Sequence, residues 1–162
     1  MSKKFRRCAG AIVFNNNGLV LLGNRNDTAN DAWQFPQGGI EKEETVEEAA
    51  KRELFEETGI LSVKTISIDK TPKRYVFPLN VKEKFRQLHI NNDGQEIYFV
   101  LFYFYGKNEE INISTKHPEF KEYKWDSFDF AVQQIVDFKK EVYVSALNRF
   151  YPLIEQYINK LS

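Results

Sequence analysis

Three carboxylates, Glu53, Glu56 and Glu57, stand at i, i+3 and i+4 in the stretch ELFEE. The segment around them reads as a helix. Thr45 with Glu48 three residues on makes a capping box, Val46, Ala49, Ala50 and Leu54 recur at helical spacing, and Gly59 is a natural stop. At about 100° per residue with Glu53 at zero, Glu56 lies near about −60° and Glu57 near about +40°, while Val46, Ala50 and Leu54 fall between roughly 20° and 100°. The acids therefore border the apolar stripe, and Glu57 lies within it. Like charges on one turn repel, and one beside a core also loses hydration, so a stable fold needs a compensating cation. Hard divalent ions take oxygen ligands, and Mg²⁺ keeps several waters while bridging a few carboxylates to a substrate phosphate. A Mg²⁺ site, open also to Mn²⁺, is the economical reading. The other is a solvated acidic helix balanced by Lys42, Lys51 and Arg52.

The full spacing goes further. Gly38, five residues, Glu44, seven residues, Arg52-Glu53-Leu54, one residue, Glu56-Glu57, one residue and Gly59-Ile60 resembles the signature of the Nudix hydrolases at nine fixed positions. The resemblance implies a loop-helix-loop that binds divalent metal and hydrolyses a phosphoanhydride in a nucleoside diphosphate linked to another group. It makes Glu53, Glu56 and Glu57 metal ligands, one of them able to serve as base for the attacking water, with Arg52 and Glu44 orienting the carboxylates. The preceding WQFPQGG, residues 33–39, resembles the branch of the family that holds bacterial RNA pyrophosphohydrolases and asymmetric dinucleoside polyphosphate hydrolases. Read from the residues alone, it is a short strand ended by Pro36, with Trp33 and Phe35 packed and Gln34 and Gln37 outward.

The elements that must position this segment fit one domain over residues 1–162. Formal net charge is zero, so no overall pull toward nucleic acid or membrane exists and affinity for polyanions must be local. The lone Cys8 cannot close an internal disulfide and suits a small strand residue near the core. MSKKFRRC is basic without an apolar signal segment, and no run reaches the roughly 18 apolar residues of a membrane span. The expectation is a cytoplasmic monomer with no DNA or membrane partner.

Ala9 to Phe14 and Leu19 to Gly23 are strand-like runs joined by Asn15-Asn16-Asn17-Gly18, a hairpin turn. Asn24 to Asp31 is a polar loop that carries Arg25. Val63 to Ile68 and Arg74 to Phe77 are further strands, the second ended by Pro78. Lys64 to Arg86 holds seven basic residues against Asp69 and Glu83, so local positive charge collects there. Basic runs are usually solvated surface, yet a phosphate-rich substrate beside an acidic site needs cations nearby, which makes Lys73 and Arg74 candidates. Tyr75 either packs or offers a stacking face to a base. Leu79 to Gly94 shows no clear period and reads as a long loop. Ile97 to Tyr105 is an unbroken apolar and aromatic run, the mark of a central strand covered on both faces. Ile111 to Ile113 and Phe120 to Trp125 are short strand candidates, with His117 read as surface between them. Phe128 to Val136 and Lys139 to Leu161 read as helices, with Pro152 expected to kink or break the second.

The same resemblance adds residues outside the box. Pro118-Glu119-Phe120 matches the branch's PEF, which implies that Glu119 is a fourth metal ligand. Val136 to Lys140 resembles its VxFKR segment, which places Phe138 and Lys139 beside the substrate's base and phosphates, although by themselves they are an aromatic staple and a solvated charge. FRRCAG keeps Arg6 and Gly10 where the branch has YRPNVG. Arg6, Arg25, Arg74 and Lys139 are the expected phosphate contacts, and Gln37, Gly38 and Tyr75 complete the substrate side. The implied fold is the Nudix α/β/α sandwich, a mixed curved sheet between helices. The implied substrate is the 5′ end of triphosphorylated RNA, or alternatively a dinucleoside polyphosphate such as diadenosine tetraphosphate. A nucleotide-binding module without catalysis is a reading of another class, opposed by the intact acidic cluster.

Overall fold

A computed structural model describes residues 3–116 and 118–161, so the reading of His117 as surface lies outside the described residues. Strand β1 (Phe5–Phe14) is the axis. It runs parallel to β7 (Gly94–Phe104) along its whole length, from Phe5 opposite Gly94 to Phe14 opposite Tyr103. The Asn-rich turn folds β2 (Val20–Arg25) back antiparallel on β1 with Phe14 opposite Val20. β2 also takes β3 (Trp33–Gln34) and β8 (Phe120–Asp126), while β7 takes β5 (Val63–Ile68) and β6 (Lys73–Val76), all antiparallel. β4 (Gln37–Gly39) pairs with the start of β1, and these eight strands make one mixed sheet.

Period-two alternation sorts this sheet's side chains into two cores. Ala9, Ala11 and Val13 of β1 with Val100, Phe102 and Phe104 of β7 face helix α1 (Val46–Thr58), which contributes Ala49, Ala50 and Leu54. Cys8, Ile12 and Phe14 with Phe99 and Leu101 face the opposite way, onto α3 (Phe128–Gln134) and α4 (Lys140–Leu161). Small residues on the first face let α1 lie close to the strands. The larger second core is filled by rings, with Phe35 stacked on Tyr143 at 4.8 Å and edge-on to Phe128 at 5.4 Å. The sheet lies between helices, as the expected sandwich requires.

Four expectations about elements need correction. Residues 79–94 are not all loop, because α2 (Leu79–Gln87) follows Pro78 directly. Its inward side is only Val81 and Phe85, half-buried at i and i+4, with Phe85 against Phe77 at 4.9 Å. So narrow a stripe among Lys82, Lys84 and Arg86 hides the helical period. Ile111 to Ile113 forms no strand; Ile111 is buried beneath α1's core, and a single 3₁₀ turn (Asn108–Glu110) precedes it. α4 continues through Pro152 without a break. The carbonyl that the proline leaves unbonded belongs to Asn148, and both residues are exposed, so water can satisfy it. Gln34 is buried rather than outward.

Candidate active site

Helix α1 begins as its sequence dictates. Thr45 Oγ1 accepts from Glu48 N–H at 3.1 Å, and Glu48 Oε1 accepts from Thr45 N–H at 2.9 Å. Gly59, at φ 74°, closes the other end and donates to the Phe55 carbonyl. Burying Ala49, Ala50 and Leu54 against the sheet fixes the rotation of the helix, and that rotation sets three different environments for its acids. Glu57 is 4% exposed. The side chain of Glu53 is 16% exposed and that of Glu56 55%, so the cluster grades from core to solvent.

Arg52 ties this grading together. Its Nε donates to Glu44 Oε2 at 2.6 Å and its Nη2 to Glu44 Oε1 at 3.0 Å, a two-pronged bond that holds the guanidinium plane. The remaining N–H groups reach Glu53 Oε1 at 2.8 Å, Glu56 Oε2 at 3.3 Å and the Gly39 carbonyl at 2.9 Å. Glu44 in turn accepts from Glu41 N–H at 2.9 Å. The guanidinium beside it holds the Glu44 carboxyl below the usual carboxylate range. The opposite holds one turn on: burial pushes the Glu57 carboxyl up to about 10, helped by its hydrogen bond with Glu53 and by the charges of Glu53 and Glu119, while the Gln37 N–H works the other way.

A cleft of about 500 Å³ opens beside this helix, lined by all four expected ligands, Glu53, Glu56, Glu57 and Glu119. Glu119 comes from the segment before β8, which the 25–31 loop holds in place: Asn26 N–H donates to the Glu119 carbonyl at 3.0 Å and Asn26 Nδ2 to the Pro118 carbonyl at 2.7 Å. Among the described residues no three acidic, histidine or cysteine side chains converge into a preformed cage. Arg52 accounts for that, since it draws Glu53 and Glu56 to itself. Three buried side-chain oxygens lack a hydrogen-bond partner among the described residues, Glu57 Oε2, Gln37 Oε1 and Thr115 Oγ1, and Glu57 and Thr115 line the cleft. The unpartnered Glu57 oxygen, in a cleft shared with three more carboxylates, is what a hard divalent ion takes, so the donor set fits one.

Gly38 is required here for space. An added Cβ would lie 2.2 Å from the Glu53 carboxyl carbon, and β4 is held to β1 by the pairing of Gly38 with Ala9. The carboxylate, at the end of a flexible chain, would move instead of the strand. Gly38→Ala is therefore expected to leave the melting temperature nearly unchanged and to lower turnover about 10²-fold, the cost of an ångström-scale displacement. Thermal melts and steady-state rates of the two proteins check this.

The expected cations divide. Lys139, 7% exposed, lies under the rings of Tyr75 and Phe138 with its Nζ 5.6 and 6.0 Å from their centroids. Burial, then the charge of Arg25, lowers the Lys139 ammonium to about 8. Arg6 stands next to Gly39, near where a Cβ on that glycine would meet its guanidinium at 2.6 Å, and like Lys139 and Glu53 it lies within electrostatic reach of Cys8. Arg25 is bonded to Asp27 through Nε at 3.0 Å. Arg6 and Arg25 both act on Tyr75, against whose ring Lys139 lies, so the three cations form a positive pole, and Glu53 is within electrostatic reach of the adjoining Cys8. Arg74 stands apart. Strand alternation puts Arg74, Glu96 and Arg7 in one cross-strand row and Tyr75, Gln95 and Arg6 in the next, and Arg74 Nε donates to Glu96 at 2.9 Å. Tyr75 is buried, donates its hydroxyl to Gln95 and leans on Phe138 at 5.6 Å, so packing occupies its ring.

Phe55, Asn112, Thr115 and Lys116 also line the cleft and were missed by sequence reasoning. Phe55 is the variable position inside the acidic motif and is 48% exposed; the sequence signal for it is a large aromatic about 200° from Glu53, off the helix's apolar stripe. For Asn112, Thr115 and Lys116 the only signal is proximity in sequence to Glu119.

The chain is similar to known proteins along nearly its whole length. A NUDIX domain model matches residues 4–146. An RNA pyrophosphohydrolase of Wolbachia sp. subsp. Brugia malayi is 40% identical over 158 residues, 97% of this chain and 96% of that protein. One from Roseobacter denitrificans is 39% identical over 150 residues, 90% and 91% of the two chains. Among solved structures, the binary complex of a C. elegans Ap4A hydrolase superposes with a TM-score of 0.56 at 14% identity, covering 95% of this chain and 97% of that one, a likeness of fold.

Proposed function

The chain belongs to the NUDIX family, and on that premise we infer that it is an RNA pyrophosphohydrolase that converts 5′-triphosphorylated RNA and water into 5′-monophosphorylated RNA and pyrophosphate. Water's oxygen ends on phosphorus as the α–β anhydride bond breaks, and its protons leave with the products. The observation that carries the reading is the buried Glu57 carboxyl, with an oxygen lacking any partner among the described residues, in a cleft it shares with Glu53, Glu56 and Glu119. Such a group opposes folding unless a cation and a phosphate complete it. Identity of about two in five residues to RNA pyrophosphohydrolases along nearly the whole chain supports RNA as the substrate.

Glu53, Glu56, Glu57 and Glu119 would hold divalent metal, Mg²⁺ with Mn²⁺ as a substitute. Once bound, the metal supplies Lewis-acid neutralisation of the polyphosphate. The chain's own residues do the rest. Arg52, fixed by Glu44, sets where the Glu53 and Glu56 carboxylates point. Arg6, Arg25 and Lys139 hold the phosphates nearest the nucleoside, Phe138 flanks the first bases, and Gln37 fixes Glu57 through its N–H. The buried Lys139 ammonium binds phosphate with little competition from water. Arg74 and Tyr75 act on this reading as structural neighbours, not as contacts to the substrate. The protein works as a cytoplasmic monomer, and among the described residues no helix is long and apolar enough to cross a membrane.

One assay tests the reading. Product release is followed from a short 5′-triphosphorylated RNA with an unpaired end and, in parallel, from diadenosine tetraphosphate, each with and without Mg²⁺. The expected result is metal-dependent release of pyrophosphate with the RNA favoured in kcat/KM. Turnover of the dinucleotide alone would replace the substrate, and no turnover of either would return the chain to the binding-module reading.

A further inference from the structure

The cleft beside α1 is lined by carboxylates on one side and by the segment 112–116 on the other, and Lys116 is the only cation among its described lining residues. None of the positive pole, Arg6, Arg25 or Lys139, lines it. Next to Lys116, the Thr115 hydroxyl is buried and has no partner among the described residues. A buried hydroxyl without an acceptor and an exposed ammonium without an ion pair among the described residues, side by side in an acidic cleft, are a donor pair waiting for an anion.

Resting on the RNA reading above, we propose that Thr115 and Lys116 form the subsite for the terminal, γ-phosphate of the substrate. The phosphate chain then has a direction. Its nucleoside end lies at the Arg25–Lys139 pole, its middle passes the carboxylates, and its far end, the phosphate carrying the most charge, meets the one cation on the 112–116 segment. A terminal phosphate offers three acceptor oxygens and close to two negative charges at neutral pH, which an ammonium and a hydroxyl can both reach. Divalent metal held by Glu53, Glu56, Glu57 and Glu119 would screen part of the chain's charge, and Thr115 and Lys116 add protein donors at its free end. The Lys116 side chain is exposed and flexible, so the subsite can release pyrophosphate after the bond is broken.

The test uses two RNAs that differ by one phosphate. Triphosphorylated RNA leaves pyrophosphate, whereas the same RNA with a 5′-diphosphate leaves orthophosphate and has no γ-phosphate to meet Lys116. Lys116→Ala is expected to lower kcat/KM on the triphosphate on the order of ten-fold, the size of one lost charge-assisted hydrogen bond, and to change the diphosphate by less than about two-fold. Lys116→Arg should restore most of the loss, and Thr115→Val should repeat it more weakly. Inhibition by inorganic pyrophosphate, read as its inhibition constant, should weaken in parallel in Lys116→Ala, while orthophosphate inhibition should not. Equal losses on the two RNAs, no loss on either, or unchanged pyrophosphate inhibition would overturn the subsite. If the wild type processed neither RNA, the functional reading would fall, and calorimetric titration of pyrophosphate in Mg²⁺ into wild type and Lys116→Ala would still decide: equal affinities overturn the subsite, weaker binding by the variant supports it.

Discussion

Glu57→Gln is expected to lower kcat by about 10²-fold or more with divalent metal saturating, and at the same time to raise the melting temperature of the metal-free protein. Both effects follow from one position. Glu57 is buried, and its carboxyl, ordinarily near 4.5, is pushed up to about 10 chiefly by that burial. An acid whose folded pKa exceeds its unfolded one binds more protons when folded, so stability is highest below the unfolded value and falls as pH rises toward the folded one. The metal-free wild type should therefore lose stability through this group progressively between about 4.5 and about 10. Glutamine keeps the shape and carries no charge, so that slope disappears. It also cannot give up a proton to become an anionic ligand, which is why activity falls while stability rises. Thermal melts across pH, paired with rates, check the two directions; a variant that loses rate and stability together would make Glu57 an ordinary core contact.

Arg52→Ala is the second large effect and runs the other way for stability. The side chain bridges Glu44, Glu53, Glu56 and the Gly39 carbonyl, so its loss frees the carboxylates of α1 to repel one another. Turnover should fall about 10²-fold as Glu53 and Glu56 lose their fixed positions. The charge-assisted bonds removed correspond to roughly 2 kcal/mol, or about 5 °C in the melting temperature of a chain this size. The pH dependence has a definite sign. Arg52, through its hydrogen bond, holds the Glu44 carboxyl below its ordinary 4.5, so this pair's stability is present above that value and lost as pH falls below it. In Arg52→Ala the acid limb should be shallower. Arg52→Lys should recover little of the rate, because an ammonium cannot reproduce the two-pronged bond to Glu44.

Much of this was legible before any coordinates, and the reason differs by element. The helix carrying the acids was readable because a capping box, an apolar stripe and a terminal glycine agree with one another. Its angular arithmetic also put Glu57 on the buried side, where it lies. The run Ile97 to Tyr105 was readable as a central strand because it is apolar or aromatic throughout; the strand ends at Phe104, and Tyr105 is 64% exposed. The helix Leu79–Gln87 was not, since two half-buried side chains do not impose a period on a lysine-rich segment. Pro152 does not end the helix, because the carbonyl it leaves unbonded, that of Asn148, is open to water. In the site, Glu119 was linked to the helix only by family resemblance; the loop bonds from Asn26 that carry it there depend on pairings distant in sequence. Thr115 and Lys116 had no signal beyond closeness in sequence to Glu119, because a polar loop looks the same whether or not it faces a cleft. Arg74 and Tyr75 have partners in the structure that sequence does not show, as strand alternation puts them on opposite faces, Arg74 with Glu96 and Tyr75 with Phe138.

The central claim is that Glu57 sits neutral in the core until a divalent ion takes the proton's place. Calorimetric titration of Mg²⁺ into the metal-free protein near neutral pH, repeated in two buffers of different ionisation enthalpy, measures that exchange directly, because binding to a protonated ligand must release its proton. The account predicts net proton release by the wild type, and weaker binding without that release by Glu57→Gln. Mg²⁺ uptake by the wild type with no proton release, matched by the variant, would contradict it.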